Sequence, residues 1–356
     1  MRFTGMFTMG IMGAAMVWCQ QPPPAGLTTG PGIQAPSDPK YPDLIKTCKT
    51  PPPGRGAGRG KGKGGPPPAA AAGPSESTVT AIPGVIAAGA HWKEVWQVDG
   101  NNADGIIATK DGGLLIAQND KSNVVKLDKD GKVSVAYTGL NTSGSVAMNA
   151  KGALFVHNRG LNESIVQLAP QRKTFADKYN GDPIDCIGGV LNDLTADSKG
   201  GVYFTMGGLF YANPQGVITR YGENLGTNGI VLSPDEKHLF VTNGATLAEF
   251  DVEKDGSLTN QREFAKLDGG GDGSTFDSAG RLYVTVNPGG GKAGVQVIAP
   301  DGKVLGMIPT PRGVISVAFS GADRKTLYAV SRDNAQNKDW LIAIQMIAQG
   351  PKGRGK

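Results

Sequence analysis

NGIVLSPDEKHLFVT (228–242) decides the fold. An amide and a glycine open it, a short apolar strand follows, a turn built from Pro, Asp, Glu and Lys reverses the chain, and a second apolar strand leaves. That is the signature of a β-hairpin whose turn chemistry separates two half-buried runs. The same line recurs as DGIIATKDGGLLIAQ (104–118), GSVAMNAKGALFVHN (144–158), NDLTADSKGGVYFTM (192–206), DGSTFDSAGRLYVTV (272–286) and SVAFSGADRKTLYAV (316–330). Successive copies start 36 to 48 residues apart, which matches the ~40–50 residue spacing of propeller blades.

Further strand pairs lie between most copies, such as VVKLDKDGKVSVAYT (124–138) and GVQVIAPDGKVLGMIP (294–309). Two hairpins per repeat make a four-stranded blade. Long runs with 3.6-residue apolar spacing are missing, while period-two alternation is widespread. The expected fold is therefore all-β, a six-bladed β-propeller over 79–347 with a disordered N-terminal extension. Closing a ring protects strand edges that an open array would expose. The segments EVWQV (94–98) and WLIAIQM (340–346) flank the six copies and are expected to pair and close the ring.

The flanks differ from this body. Residues 1–19 place one early Arg before an acid-free apolar stretch, and QQPPP follows, the layout of a secretory signal peptide. Residues 20–75 form a Pro/Gly-rich low-complexity linker with no apolar period, within which YPDLIKTC (41–48) is expected to dock locally. Residues 348–356 form a basic tail. Export to a periplasmic or extracellular compartment is expected, with lipid anchoring through Cys19 as an alternative that Trp18 disfavours.

The formal charge of +5 arises from these flanks. Arg55, Arg59, Lys61, Lys63, Lys352, Arg354 and Lys356 account for seven positive charges, so the rest carries +5 − 7 = −2. A nearly neutral body offers no basic face for nucleic acid. None of the three cysteines, Cys19, Cys48 and Cys186, belongs to a C-x-x-C pair, which excludes zinc-ribbon and thioredoxin-type chemistry. Cys48 and Cys186 either pair in an oxidising compartment or leave Cys186 as an inert buried thiol.

In a propeller the innermost strand of each blade lines the central channel, and its first residue sits at one mouth. The six copies read Asp104, Gly144, Asn192, Asn228, Asp272 and Ser316 at that position. Four carry a carboxylate or amide oxygen, and none is a thiol or imidazole. Asn and Asp before Gly are also ordinary turn residues, but four copies share one register. Such hard-oxygen donors converging from separate blades suit Ca2+, with Mg2+, Mn2+ or Zn2+ as alternatives.

NGIVLSPDEKHLFVTNG, NDLTADSKGGVYFT and DGSTFDSAGRLYV, followed by GGGKAGVQVIAPDGKVLGMIPTP, resemble the SMP-30/gluconolactonase/luciferin-regenerating-enzyme family over roughly Ile82 to Met346. The resemblance implies a six-bladed propeller and a metal-dependent lactonase acting on sugar lactones. It implies metal ligation by Asp104, Asn228 and Asp272, with Asn192 and Asp193 lining the substrate site. Asp104 stands where the family pattern E-G-P-x-W has Glu; here the segment reads D-G-I-I-A. The arginine that some sugar lactonases carry near the Asn192 motif is absent, since Val190 and Leu191 precede Asn192. The implied mechanism is attack of water on a metal-polarised lactone carbonyl, with Asp272 as candidate general base. A non-catalytic ligand- or protein-binding propeller with a structural metal is the alternative. The expected partner is a small lactone, the expected state a monomer without a membrane span once the signal is removed.

Competing chemistries find little support. A G-x-S-x-G nucleophile elbow is missing. His91 and His238 lie in unrelated places, and His157, at a strand end, reads as a loop or channel residue rather than a base. GGGDG (269–273) and GGGK (289–292) lack P-loop spacing and are expected to be loops near the mouth.

Overall fold

The repeated turns fold for a shared reason. In NAKGA, DSKGG and DSAGR the first side chain caps the turn: Asn149, Asp197 and Asp277 each accept, through Oδ1, the amides two and four residues later at 2.8–3.1 Å. A glycine at positive φ follows in each turn (Gly152, Gly200, Gly280), a conformation that costs glycine little. A computed structural model describes residues 32–52, 78–287 and 293–353. The expected signal (1–19), Cys19, the basic residues 55–63, the GGGK loop and residues 354–356 lie outside the described residues.

Six four-stranded antiparallel sheets make the ring. Blade 1 consists of Ile106–Ala108, Leu114–Gln118, Asn123–Leu127 and Val133–Tyr137; blade 2 of Ser143–Met148, Leu154–Asn158, Ser164–Ala169 and Lys173–Ala176. Blade 3 holds Leu194–Ala196, Val202–Thr205, Leu209–Ala212 and Ile218–Tyr221; blade 4 holds Thr227–Leu232, His238–Asn243, Thr246–Val252 and Leu258–Lys266. Blade 5 holds Gly270–Phe276, Leu282–Asn287, Gly294–Ile298 and Val304–Pro309. Blade 6 takes Gly313–Ser320, Thr326–Asp333 and Lys338–Gln345 and borrows Lys93–Asp99 as its outermost strand. The two flanking segments thus close the ring as expected, with Glu94 opposite Ile342 and Gln97 opposite Trp340. Most of GGGDG is not a loop: residues 270–273 belong to the innermost strand of blade 5, and a Cβ at Gly271 would strike Leu267 and Thr242.

The core lies between blades. Phe240 of blade 4 meets Phe264 edge-on at 4.8 Å and Phe276 of blade 5 at 5.5 Å. Val79, Ile82, Val85 and Ile86 pack into the cluster of Tyr283, Phe319, Trp340 and Ile344, so the propeller begins where the apolar pattern resumes.

Residues 32–52, within the stretch read as a linker, rest on the ring. Tyr41–Ile45 is a short helix, and the Tyr41 hydroxyl reaches the Asp185 carbonyl at 3.2 Å. The Ala35 amide donates to the Arg159 carbonyl at 2.7 Å, Thr142 Oγ1 to the Ile33 carbonyl at 3.3 Å, and the Lys49 amide to Asp182 at 3.0 Å. Cys48 and Cys186 form a disulfide with Cα atoms 5.7 Å apart, which decides between the two cysteine readings. The segment is a strap fixed over loops of blades 1 to 3.

Candidate functional site

The mouth of the channel is built by irregularities in the innermost strands. Strand pairing skips across residues 144–145 in blade 2, 228–229 in blade 4, 272–273 in blade 5 and 315 in blade 6. Such bulges re-aim side chains at strand starts. The pairing also corrects the sixth copy. Ile315 packs against Gly273 as Gly144 packs against Gly105. Ser316 Oγ accepts the Ile106 amide at 3.3 Å, just as Asp193 Oδ2 accepts that of Ile230 at 3.0 Å. Ser316 therefore matches Asp193, and the mouth position of blade 6 belongs to Ile315. The cause is an extra residue between the hairpin strands of blade 6, where Ser320 and Thr326 form an additional pair.

Asp193 itself works inside the ring. It is buried, its Oδ1 accepts Ser145 Oγ at 2.7 Å and the Leu194 amide at 2.9 Å, and its Oδ2 holds blade 4 through Ile230. Asp193, expected to line the substrate site, has a carboxylate that joins blades 2, 3 and 4. Backbones abut at the other junctions. The Gly105 amide donates to the Gly144 carbonyl at 2.8 Å, and a Cβ at Gly229 would overlap the Asp272 carbonyl.

Behind the mouth, side chains of the second strands fix the carbonyls of the mouth residues. Thr205 Oγ1 donates to the Asn228 carbonyl at 2.5 Å. His157 takes the same place in blade 2 and donates Nε2–H to the Asn192 carbonyl at 2.7 Å. Burial drives its imidazole down to about 3, and the Arg159 charge pushes the same way. A neutral, buried donor in the register of a threonine is a frame residue within a strand, not the loop or channel residue expected from the sequence.

Asn192 and Asn228 converge: Asn192 Nδ2 donates to Asn228 Oδ1 at 2.6 Å across the junction of blades 3 and 4. Asp272 follows on the adjacent strand, its main chain against Gly229. Asp104 has a different surrounding. Its Oδ2 accepts Arg159 Nη1 at 2.6 Å and Asn119 Nδ2 at 2.7 Å. Asp339, buried beneath, holds the chain into Asp104 by accepting the amides of Asn102 and Ala103 at 2.8 and 2.9 Å. Burial raises the Asp339 carboxyl to about 6 against those bonds and Arg332.

Arg159 is the residue that sequence reasoning missed. It leaves the end of the second strand of blade 2 and lies over Gly144; a Cβ there would fall inside its guanidinium. Nε donates to the Leu191 carbonyl at 2.7 Å, Nη1 also to Asn119 Oδ1 at 3.0 Å, and Nη2 to the Asn192 carbonyl at 2.7 Å and to Asn192 Oδ1 at 3.4 Å. The available signal was the glycine in copy two, the one mouth position with no side chain, together with a long cation after the next strand. Further out, Glu163 accepts the Leu191 amide at 2.9 Å while its Oε2 is buried without a partner among the described residues. Burial and then the neighbouring Asp185 push its carboxyl well above the usual carboxylate range.

A divalent cation is implied by the resemblance, and the residues fit it on one side only. Among the described residues no three His, Cys, Asp or Glu side chains gather into a metal cluster. Asp104 already has a cation in Arg159. Asn228, Asp272 and Asn192 carry hard oxygens at two adjoining junctions, and Arg159 reaches the Asn192 amide oxygen at 3.4 Å.

Comparison with known proteins is consistent with this geometry. The family model of the SMP-30/gluconolactonase/LRE-like region matches residues 141–333. A lactonase drp35 from Staphylococcus haemolyticus is 29% identical over 261 residues, covering 66% of this chain and 74% of that protein. A gluconolactonase from Zymomonas mobilis is 26% identical over 303 residues, covering 70% and 79%. The crystal structure of a calcium-binding protein, regucalcin, from Agrobacterium tumefaciens superposes with a TM-score of 0.60 at 15% identity, covering 74% of this chain and 96% of that one, and shares the fold.

Proposed function

Because the chain belongs to the SMP-30/gluconolactonase/LRE-like family, we propose that its mouth hydrolyses a lactone, of the sugar-lactone class named for its relatives. The observation that carries this reading is the meeting of Asn192 and Asn228 at 2.6 Å, beside the strand that presents Asp272. Amide groups from two blades give a polyhydroxylated ring both donors and acceptors. Asn228 Nδ2 is placed on a residue whose Oδ1 is already engaged, so it can donate to the lactone carbonyl as that oxygen gains charge. Asp272 takes the proton of the attacking water. The acyl C–O bond then breaks, the alkoxide leaving group takes a proton back, and the product is a hydroxy acid that releases one proton at neutral pH.

A cation held by Asn228 and Asp272, with Asn192 beside them, would supply Lewis-acid polarisation of the carbonyl. Calcium suits that oxygen set, and the calcium named for the regucalcin neighbour supports it. Asp104 is left outside the set by its ion pair. Export to an oxidising compartment belongs to the same proposal. The Cys48–Cys186 disulfide supports it, since such bonds persist outside the reducing cytosol. No described helix is long and apolar enough to cross a membrane.

The second reading, a ligand-binding propeller without turnover, draws on the fully bonded state of Arg159, which suits a rigid frame. Proton release by the purified protein on a panel of aldono-γ- and δ-lactones, with calcium and with chelator, separates the two. Saturable release on at least one lactone is expected. A folded protein inert on all of them contradicts hydrolysis and leaves the binding reading.

A further inference from the structure

Glu163 is buried at a cost that its bonding does not offset. It is 1% exposed, Oε1 accepts the Leu191 amide at 2.9 Å, and Oε2 meets no partner among the described residues. Burying a polar oxygen without a partner costs more than one backbone bond contributes. A carboxyl retained in such a place points to a use other than stability.

That use lies in what the Leu191 amide leads to. Gly188 and Gly189 precede this stretch, Gly188 at positive φ, so the chain arriving at Leu191 has wide conformational freedom. From the Leu191 amide to the Asn192 carbonyl every backbone group is then bonded. The Leu191 amide donates to Glu163, and the Leu191 carbonyl accepts Arg159 Nε at 2.7 Å. The Asn192 amide donates to the Thr205 carbonyl at 2.9 Å, and the Asn192 carbonyl accepts Arg159 Nη2 and His157 Nε2, each at 2.7 Å. Glu163 makes the first of these bonds from a backbone that is itself pinned. Asp185 accepts the Asn162 and Glu163 amides, each at 3.0 Å, and the Tyr41 hydroxyl of the strap holds the Asp185 carbonyl.

We propose that Glu163 is a positioning residue of the mouth: by holding the Leu191 amide it fixes the backbone that carries Asn192 and, through the bond of Asn192 Nδ2 to Asn228 Oδ1, the orientation of Asn228. A shift at Leu191 passes to Asn192 and turns the Asn228 amide away from the carbonyl it serves. A misplacement of about 1 Å, caused far from the chemistry, can cost about 100-fold in rate. The acceptor oxygen is what matters, not a charge. Burial and Asp185 favour the neutral carboxyl, and a glutamine amide oxygen is an equivalent acceptor.

The inference rests on the proposed function, and one arm of its test uses no lactone. The full chain labelled with nitrogen-15 asparagine reports the side-chain amides of Asn192 and Asn228, assigned by their loss in Asn192→Ser and Asn228→Ser. Asn213, in the turn between the outer two strands of blade 3, is the reference. Glu163→Leu removes the acceptor. It should move both mouth signals, leave that of Asn213 in place, and lower kcat on an aldonolactone at least about tenfold with KM within about threefold. Glu163→Gln should keep the signals and a kcat within about threefold of the wild type. A role in packing alone would lower the melting temperature of Glu163→Leu and move neither the signals nor kcat. The inference is overturned if Glu163→Leu leaves the signals or kcat unchanged, if KM alone rises, or if Glu163→Gln loses as much as Glu163→Leu. If the wild type turns over no lactone, the proposed function fails, and the asparagine signals decide by themselves whether Glu163 positions the mouth. Should Glu163→Leu not fold, Asp185→Asn, which keeps the volume and deprives one loop amide of its acceptor, has to move the same signals; unmoved signals then overturn the inference.

Discussion

Blades 1–3 and blades 4–6 share one channel mouth and build it in opposite ways. The first half is closed. The strap crosses its loops, the Cys48–Cys186 bond fixes the strap, and Arg159 ties Asp104, Asn119 and Asn192 into one charged network. His157, Glu163 and Asp185 are buried behind it. In the second half, glycines bring the backbones together: Gly229 lies on the Asp272 carbonyl and Gly273 on that of Ile315. Threonines brace the bulges, Thr242 by accepting the Gly229 amide at 2.7 Å and Thr285 by donating to the Gly273 carbonyl at 3.0 Å. One half is stiffened by charge and a covalent link, the other by close backbone packing that leaves its amide and carboxylate at the rim. Charged groups held in a finished network make a frame, and in the proposed function the chemistry falls to the other half.

The largest effect on stability should come from cutting the covalent link of the closed half. The bond joins residues 138 apart in sequence. Its removal in Cys48→Ser/Cys186→Ser should lower unfolding stability in urea by about 2–5 kcal/mol. Proteolysis should then cut first within the strap. Unchanged stability and an uncut strap would mean that the closed half does not depend on it.

A smaller effect sharpens the same contrast. The Glu163 carboxyl is raised well above its ordinary value by burial and by Asp185. The native state therefore keeps a proton that the unfolded chain has lost. The stability this confers is complete below the ordinary glutamate range and is lost as pH rises through the raised value, at up to about 1.4 kcal/mol per pH unit. Glu163→Gln retains the acceptor for the Leu191 amide and should flatten that decline in urea titrations from pH 5 to 8. Equal slopes in both proteins would show that Glu163 is ionised in the folded state.

The ring was legible because six hairpins repeat both their apolar alternation and their turn chemistry, and the closing pair followed from the two strands left over. The convergence of Asn192 and Asn228 was legible for the same reason. Counting from strand starts failed at Ser316, where one added residue in the blade 6 hairpin shifts the register and brings Ile315 to the mouth. The inward carboxylate of Asp193 was not legible, because neighbouring residues at a strand start point in different directions, Asn192 toward Asn228 and Asp193 into the ring. Arg159 escaped because it comes from another strand of the blade and reaches the site only across a glycine. Periodicity reports what repeats; a side chain that fills the gap in one copy has no counterpart in the others.

The division of labour is tested most directly by turnover of an aldonolactone by Asp272→Asn and Asp104→Asn, each melting within a few degrees of the wild type. The account predicts that Asp272→Asn loses at least about 100-fold in kcat, the scale of a lost general base, while Asp104→Asn loses less than about tenfold. Equal losses, or a larger loss at Asp104, would contradict it.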